Sequence, residues 1–270
     1  MKVIPNFAKQ RLADGELALG MGLRQARTVD IAQIAQACDF DWLFIDMEHN
    51  SMSMDTAGQI CAAALAGGIT PMIRVPGHEP FHSTRLLDTG AQGIVVPHVN
   101  NADEARRVVD FCRFPPLGHR SIPGSLPQTR FAALPMAETV ELINRETLVV
   151  VMIETVTGIE NADAIAAVPG VDVLLVGCSD TAAELGVTGQ LGHPRVKEAI
   201  DTVFAACAKH SKVAGFGGVY DEALMAEYVD KGGRFILSGS DLAFLMAGAR
   251  SRSSMMRAAL PKQPAVVDAD

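Results

Sequence analysis

Eight short apolar runs recur along the chain, and each is followed by a stretch of helical character. They are LALGMGL (17–23), DWLFIDM (41–47), ITPMIRV (69–75), GIVVPHV (93–99), LVVVMIE (148–154), VDVLLVG (171–177), VAGFGG (213–218) and RFILSGS (234–240). Most have no polar face, the pattern of parallel strands covered on both sides. Between them, 28–39 opens at a Thr28 cap. The stretch 101–114 has Asn101 as cap, Asp103 and Glu104 in its first turn and Arg113 in its last, an order that complements the helix dipole. Another, 157–170, stops at Pro-Gly, and 194–210 carries Pro194 in its first turn. Eight such units in about 250 residues predict a (β/α)8 TIM barrel, one domain over 1–270. An open doubly wound sheet is the alternative, but no GxGxxG follows the first run. The segment 6–15 is expected to cap the barrel bottom, and the last ten residues to form a loose tail.

Composition narrows the function. With 23 Lys and Arg against 31 Asp and Glu, the net charge is −8. That balance argues against nucleic acid, whose phosphates need clustered cations. Mean hydropathy is +0.20, and 56–73 carries no charge. Gln59, Gly67, Gly68 and Pro71 interrupt it, so it reads as helix, turn and strand, with no membrane span. The first sixteen residues lack the apolar core of a signal peptide. Five cysteines (38, 61, 112, 178, 207), scattered and without CxxC spacing, fit reduced thiols in a cytoplasm. One connection is unusual: 115–135 holds five prolines and three basic residues. A loop of that length is expected to be functional or interfacial, with a plain surface excursion as the alternative.

Barrel chemistry sits at the C-terminal ends of the strands. Several runs end in polar groups: the second in Asp46-Met47-Glu48-His49, the third in Arg74, the fifth in Glu154, the sixth in Gly177-Cys178-Ser179-Asp180, while the fourth contains His98. Glu154 and Asp180, closing adjacent strands, would face each other and repel unless one took a proton or both shared a cation. Two carboxylates with open positions suit Mg2+ or Mn2+, and Co2+ also fits. The alternative is that Glu154 caps a helix and Asp180 pairs with a basic residue. His49, flanked by acids, is a candidate base. Arg74 could hold a carboxylate or a developing oxyanion, or form a structural ion pair with Asp46 or Glu48. The amides of the Gly177–Asp180 turn are anion donors. Cys178 has no basic partner nearby in sequence and is better read as a small lining residue than as a nucleophile.

These residues, in DWLFIDMEHN, PMIRVP, LLDTGAQGIVVPHVNNADEAR, PPLGHRS, VMIETVTGIEN and GVDVLLVGCSDTAAELG, resemble the HpcH/HpaI aldolase family from about 16 to 250. The resemblance implies a metal-dependent class II aldolase that reversibly cleaves a 4-hydroxy-2-oxo acid to pyruvate and an aldehyde. It implies Glu154 and Asp180 as metal ligands and His49 with Asp88 as an acid/base pair working through water. Arg74 would lie on the 2-oxo oxygen, and the amides of Ser179 and Asp180 on the substrate carboxylate. It also implies a homohexamer, a trimer of dimers, with the last helix exchanged with a neighbour. Met152 stands where many members have Gln, Cys178-Ser179 replaces the usual Pro-Ala, and His119 and Ser121 flank Arg120 in the long loop. That loop is expected to shape the pocket for the distal part of the substrate. Two rival functions share the fold: an acyl-CoA lyase of the citryl- or malyl-CoA type, and a non-catalytic oxo-acid-binding barrel. The lack of a Lys/Arg cluster for CoA phosphates favours the free acid.

Overall fold

The computed structural model describes residues 3–259; the expected tail lies outside them. A short helix α1 (Phe7–Ala13) precedes the first strand. Then follow β1 (Ala18–Leu23), α2 (Ile31–Ala37), β2 (Trp42–Asp46), α3 (Met54–Gly67), β3 (Thr70–Arg74), α4 (Pro80–Asp88), β4 (Gly93–Val96) and α5 (Ala102–Cys112). The second half holds α6 (Met136–Glu146), β5 (Leu148–Ile153), α7 (Val156–Glu160), α8 (Ala162–Ala166), β6 (Val173–Gly177) and α9 (Cys178–Glu184). It continues with α10 (Pro194–Lys209), β7 (Val213–Gly217), α11 (Glu222–Asp230), β8 (Gly233–Ser240) and α12 (Asp241–Ala258). The strands close in sequence order, and β1 pairs in parallel with both β2 and β8.

Side-chain alternation builds two concentric layers. Trp42, Phe44, Met72, Val95, Val150, Met152, Leu175 and Phe235 fill the barrel interior. Their neighbours Leu43, Ile45, Ile73, Ile94, Val149, Val151, Leu174 and Val176 face outward under the helices. Trp42 stacks on Phe235 with ring centroids 4.0 Å apart, and its Nε1 donates to the Ala18 carbonyl at 3.1 Å. A Cβ at Gly20 would lie 2.3 Å from the indole, so only glycine leaves room for it there.

The N-terminal face is plugged, as expected for 6–15. Asn6 caps α1 and donates through Nδ2 to the carbonyls of Gln92 (3.1 Å) and Glu146 (2.8 Å). Ala8 N donates to Thr70 Oγ1 at 3.0 Å. Some helix ends differ from expectation. α2 starts at Ile31 behind Asp30, so Thr28 is not its cap. Arg113 is buried at the end of α5 and donates to the carbonyls of Asn144 and Gly170 and to Asp172; the cation ties helices to the sheet more than it answers a dipole. The long connection after α5 turns back along the barrel. Leu126 joins a small cluster with Val3, Phe114 and Ile143, and Gln128 Nε2 donates to the carbonyls of Leu87 and Ala91. α12 buries none of its residues within the chain and leaves Phe244, Leu245, Met255 and Met256 exposed. Among the described residues no helix is long and apolar enough to cross a membrane.

Candidate active site

The C-terminal mouth of the barrel opens into a cavity of about 330 Å3. Its walls include Asp46, His49, Arg74, Met152, Glu154, Gly177, Cys178, Ser179 and Asp180. Strand ends far apart in sequence thus meet around one rim, which is what closure of the sheet dictates.

Arg74 ends β3 and is nearly fully buried. Its Nε and Nη2 donate to the two oxygens of Asp46 at 3.0 and 2.7 Å, the fork geometry of an arginine–carboxylate pair. Nη1 lies 3.0 Å from Glu48 Oε2, and the guanidinium rests over the Phe44 ring at 5.0 Å. The structural ion pair therefore exists, and it fixes the guanidinium against the cavity, where N–H groups remain for a ligand. Burial alone would raise the Asp46 carboxyl. The hydrogen bonds and charge of Arg74, with the amides of His49 and Glu48, instead hold it below the usual carboxylate range.

Glu154 lies one residue beyond β5 and is 1 % exposed. Burial raises its carboxyl above the ordinary range. The nearby His98 and Arg74 oppose this, and the charge of Asp180 adds to it. Its Oε2 accepts the His98 amide at 3.1 Å and lies 3.3 Å from His98 Nδ1. His98 takes a left-handed backbone (φ 53°), which a histidine adopts more readily than a branched residue. Its Nε2 is 3.5 Å from Glu48 Oε1, so the ring lies between two carboxylates. Space for Glu154 comes from Gly177: a Cβ there would sit 2.4 Å from Glu154 Oε1. Asp180, in the first turn of α9, is exposed to the cavity. The alternative of Asp180 paired with a base is not realised among the described residues. Nor does Glu154 cap α7; Thr155 does, accepting from Gly158 N.

His49 follows β2 in the turn to α3, half-exposed, with Nε2 3.7 Å from Glu48 Oε2. Cys178 is fully buried and burial pushes its thiol up to about 12, which removes the thiolate a nucleophile needs. Ser179 is exposed at the start of α9, where the first amides of a helix have no internal partner. Gly218 (φ 87°) lets the neighbouring β7 turn approach it: a Cβ would lie 2.9 Å from Ser179 Oγ.

Asp88 is the exception. It ends α4, and a helix after a barrel strand runs back toward the N-terminal face. Its Oδ1 accepts from Arg120 Nη2 at 2.6 Å. Among the described residues Asp88 pairs with Arg120 and makes no direct contact with His49, and it is absent from the walls of the cavity that His49 lines. The 115–135 loop, which carries Arg120, also contributes no wall to the cavity; its expected part in the distal pocket is not seen within the chain. Arg24, Tyr220 and Ser240, each just past or at the end of a strand, also line the cavity. Arg24 lies one position past the first apolar run, so the rule that selected Arg74 could have found it. His98 and Glu48 were visible at strand ends, but their bridging of two carboxylates follows only from the turn geometry.

The structure resembles several solved barrels. One is an HpcH/HpaI aldolase from Desulfitobacterium hafniense, at TM-score 0.90 and 32% identity, over 96% of this chain and 99% of that one. The sequence is 40% identical to a 4-hydroxy-4-methyl-2-oxoglutarate aldolase of Hapsidospora irregularis, over 92% of this chain and 94% of the relative. It is 34% identical to a 5-keto-4-deoxy-D-glucarate aldolase of Klebsiella pneumoniae, over 89% and 92%. Residues 24–247 match the family model described as HpcH/HpaI aldolase/citrate lyase. A closed eight-stranded barrel, a carboxylate- and arginine-lined mouth and relatives matched along nearly their whole length lead to one statement: the chain belongs to the HpcH/HpaI aldolase/citrate lyase family.

Proposed function

We propose that this carbon–carbon lyase is a class II pyruvate aldolase that reversibly cleaves a 4-hydroxy-2-oxo acid to pyruvate and an aldehyde. The observation that carries the reading is Glu154, buried beside Asp180 at the floor of a cavity that Arg74 also lines. Among the described residues no group of three or more His, Cys, Asp or Glu side chains is placed to hold a metal. Two oxygen ligands suit a hard cation that keeps open positions, and Glu154 is a buried carboxylate whose carboxyl is raised by burial and, further, by the like charge of Asp180. Glu154 and Asp180 would hold Mg2+ or Mn2+, with Co2+ also fitting the set. Such an ion, when bound, supplies Lewis-acid polarisation of the 2-oxo group.

The chain's own groups do the rest. The free amides of Ser179 and Asp180 orient the substrate carboxylate. His49, through a water, takes the proton of the 4-hydroxyl. The C3–C4 bond then breaks, C4 leaves as the carbonyl of the aldehyde, and the electron pair passes to C3 as pyruvate enolate. Arg74, already locked by Asp46 and Glu48, stabilises the charge that develops on the former 2-oxo oxygen. Protonation of C3 releases pyruvate. Both relatives above are named for substrates that are 2-oxo acids with a second carboxylate.

Asp88, which does not line the cavity within one chain, would serve His49 from a second copy of the chain. The apolar residues that α12 exposes support such an assembly, a hexamer with exchanged helices. The five free thiols support a reducing, cytoplasmic setting. The deciding experiment mixes chelated and Mg2+- or Mn2+-loaded enzyme with racemic 4-hydroxy-2-oxo acids and follows pyruvate release. Metal-dependent release is expected. Full activity in metal-free enzyme would refute the metal reading, and no release under any condition would refute the aldolase.

A further inference from the structure

Arg24 is placed differently from every other cation of the site. Arg74 spends three donor contacts on Asp46 and Glu48. Arg24 makes no ion pair among the described residues; its guanidinium has a single long bond, 3.4 Å from Nη2 to the His49 carbonyl. Yet its main chain is fixed. Asp241 Oδ1 accepts from Arg24 N at 2.8 Å, and Oδ2 accepts from Gln25 N and Ala26 N at 2.9 and 2.6 Å. That carboxylate is saturated by backbone amides and leaves the guanidinium unneutralised. The side chain stands at the cavity mouth beside His49, with Tyr220 and Ser240 on the same wall. The outcome is a free cation with a planar donor fork, on a fixed backbone, at the rim of the cavity that buried Arg74 and Glu154 also line.

We infer that Arg24 reads a second carboxylate, on the far side of C4, and so makes this chain selective for 4-hydroxy-2-oxo diacids. The inference rests on the aldolase reading and assigns it a substrate class. A substrate whose first carboxylate and 2-oxo group lie at the floor extends C4 and its substituent toward the mouth. An anionic substituent meets a fork that matches it; an alkyl substituent leaves the guanidinium with its present long bond. Discrimination is then a difference between two substrates that share the reacting atoms.

The test compares 4-hydroxy-2-oxoglutarate with 4-hydroxy-2-oxopentanoate, which replaces the far carboxylate by a methyl group. Both are measured with the native enzyme, Arg24→Gln and Arg24→Lys, each loaded with Mg2+ or Mn2+. The diacid-to-monoacid ratio of kcat/KM should fall by about 10- to 100-fold in Arg24→Gln, the scale of one charge-assisted contact, and recover in part in Arg24→Lys. A second reading needs no turnover. 2-Oxoglutarate, which lacks the 4-hydroxyl, should raise the Tm of the native protein more than 2-oxobutyrate does, and this gap should close in Arg24→Gln. A ratio within about twofold of native in Arg24→Gln overturns the role of Arg24 and leaves the aldolase standing. Failure of the native enzyme to cleave either acid overturns the aldolase reading, and this inference with it.

Discussion

Replacing Gly177 by alanine separates the fold of this protein from its chemistry. The backbone there (φ −84°, ψ 87°) is open to alanine, so the change brings no conformational penalty. The three atoms nearest the added methyl all belong to Glu154: it would lie 2.4, 2.7 and 2.9 Å from Oε1, Cγ and Cδ, where ordinary contact begins at 3.4 Å. The carboxylate must retreat by about 1 Å, and it cannot slide freely because Oε2 is held by the His98 amide. A misplacement of that size typically costs ~10²-fold in rate. Overpacking costs about 1–3 kcal/mol, partly offset by the ~0.4–1 kcal/mol a glycine-to-alanine change takes from the unfolded chain's freedom. Gly177→Ala should therefore remain folded, with a modest shift in its urea midpoint, while kcat/KM for pyruvate release falls roughly 100-fold and Mn2+ affinity drops. Pyruvate release can be followed with lactate dehydrogenase and Mn2+ binding by calorimetry. Native activity and Mn2+ affinity in a folded Gly177→Ala protein would show that the Glu154 carboxylate does not need its observed place.

Three further outcomes are expected. Arg74→Lys keeps a charge but loses the fork to Asp46, and should lower kcat by ~10²-fold or more; an effect confined to KM would assign Arg74 to ground-state binding. His49→Ala should slow cleavage by roughly 10²–10⁴-fold while pyruvate still binds, as a fluorescence or calorimetric titration would show; near-native turnover would place the base elsewhere. Asp46 has a carboxyl held below its unfolded value, so its contribution to stability is present above about pH 4 and is lost as pH falls through the folded value. The gap in urea midpoint between the native protein and Asp46→Asn should accordingly be full near pH 6 and shrink below pH 4; a gap that widened in acid would reverse the sign of this linkage.

The barrel was legible because parallel strands buried on both faces leave unbroken apolar runs. The run 148–154 maps onto Leu148–Ile153 and 93–99 contains Gly93–Val96. The rim was legible for the same reason, since a polar residue closing such a run has nowhere to point but the mouth. What depends on three-dimensional path was not. Nothing in LLDTG says that α4 carries Asp88 away from the mouth, nor that Pro127–Thr129 turns under the barrel. The left-handed turn that brings the His98 amide to Glu154, and the steric need for Gly177, follow from distances that no one-dimensional pattern encodes. Arg24 escaped through a boundary: the strand stops at Leu23, and the next residue is the one at the cavity.

Trp42 gives the molecule an optical property. It is the single tryptophan of the chain, fully buried, and its stacking partner Phe235 stands on β8, across β1 from β2. The indole therefore reaches its dark, stacked surroundings only when the last strand has met the first. A contact between residues so distant in sequence forms late in folding compared with any single β/α unit. The intrinsic fluorescence of this protein thus reports the sealing of its ring: emission should stay red-shifted and quenchable by acrylamide in an open intermediate that already has native helix content. A circular-dichroism signal that recovers ahead of the tryptophan signal during refolding would time the closure directly.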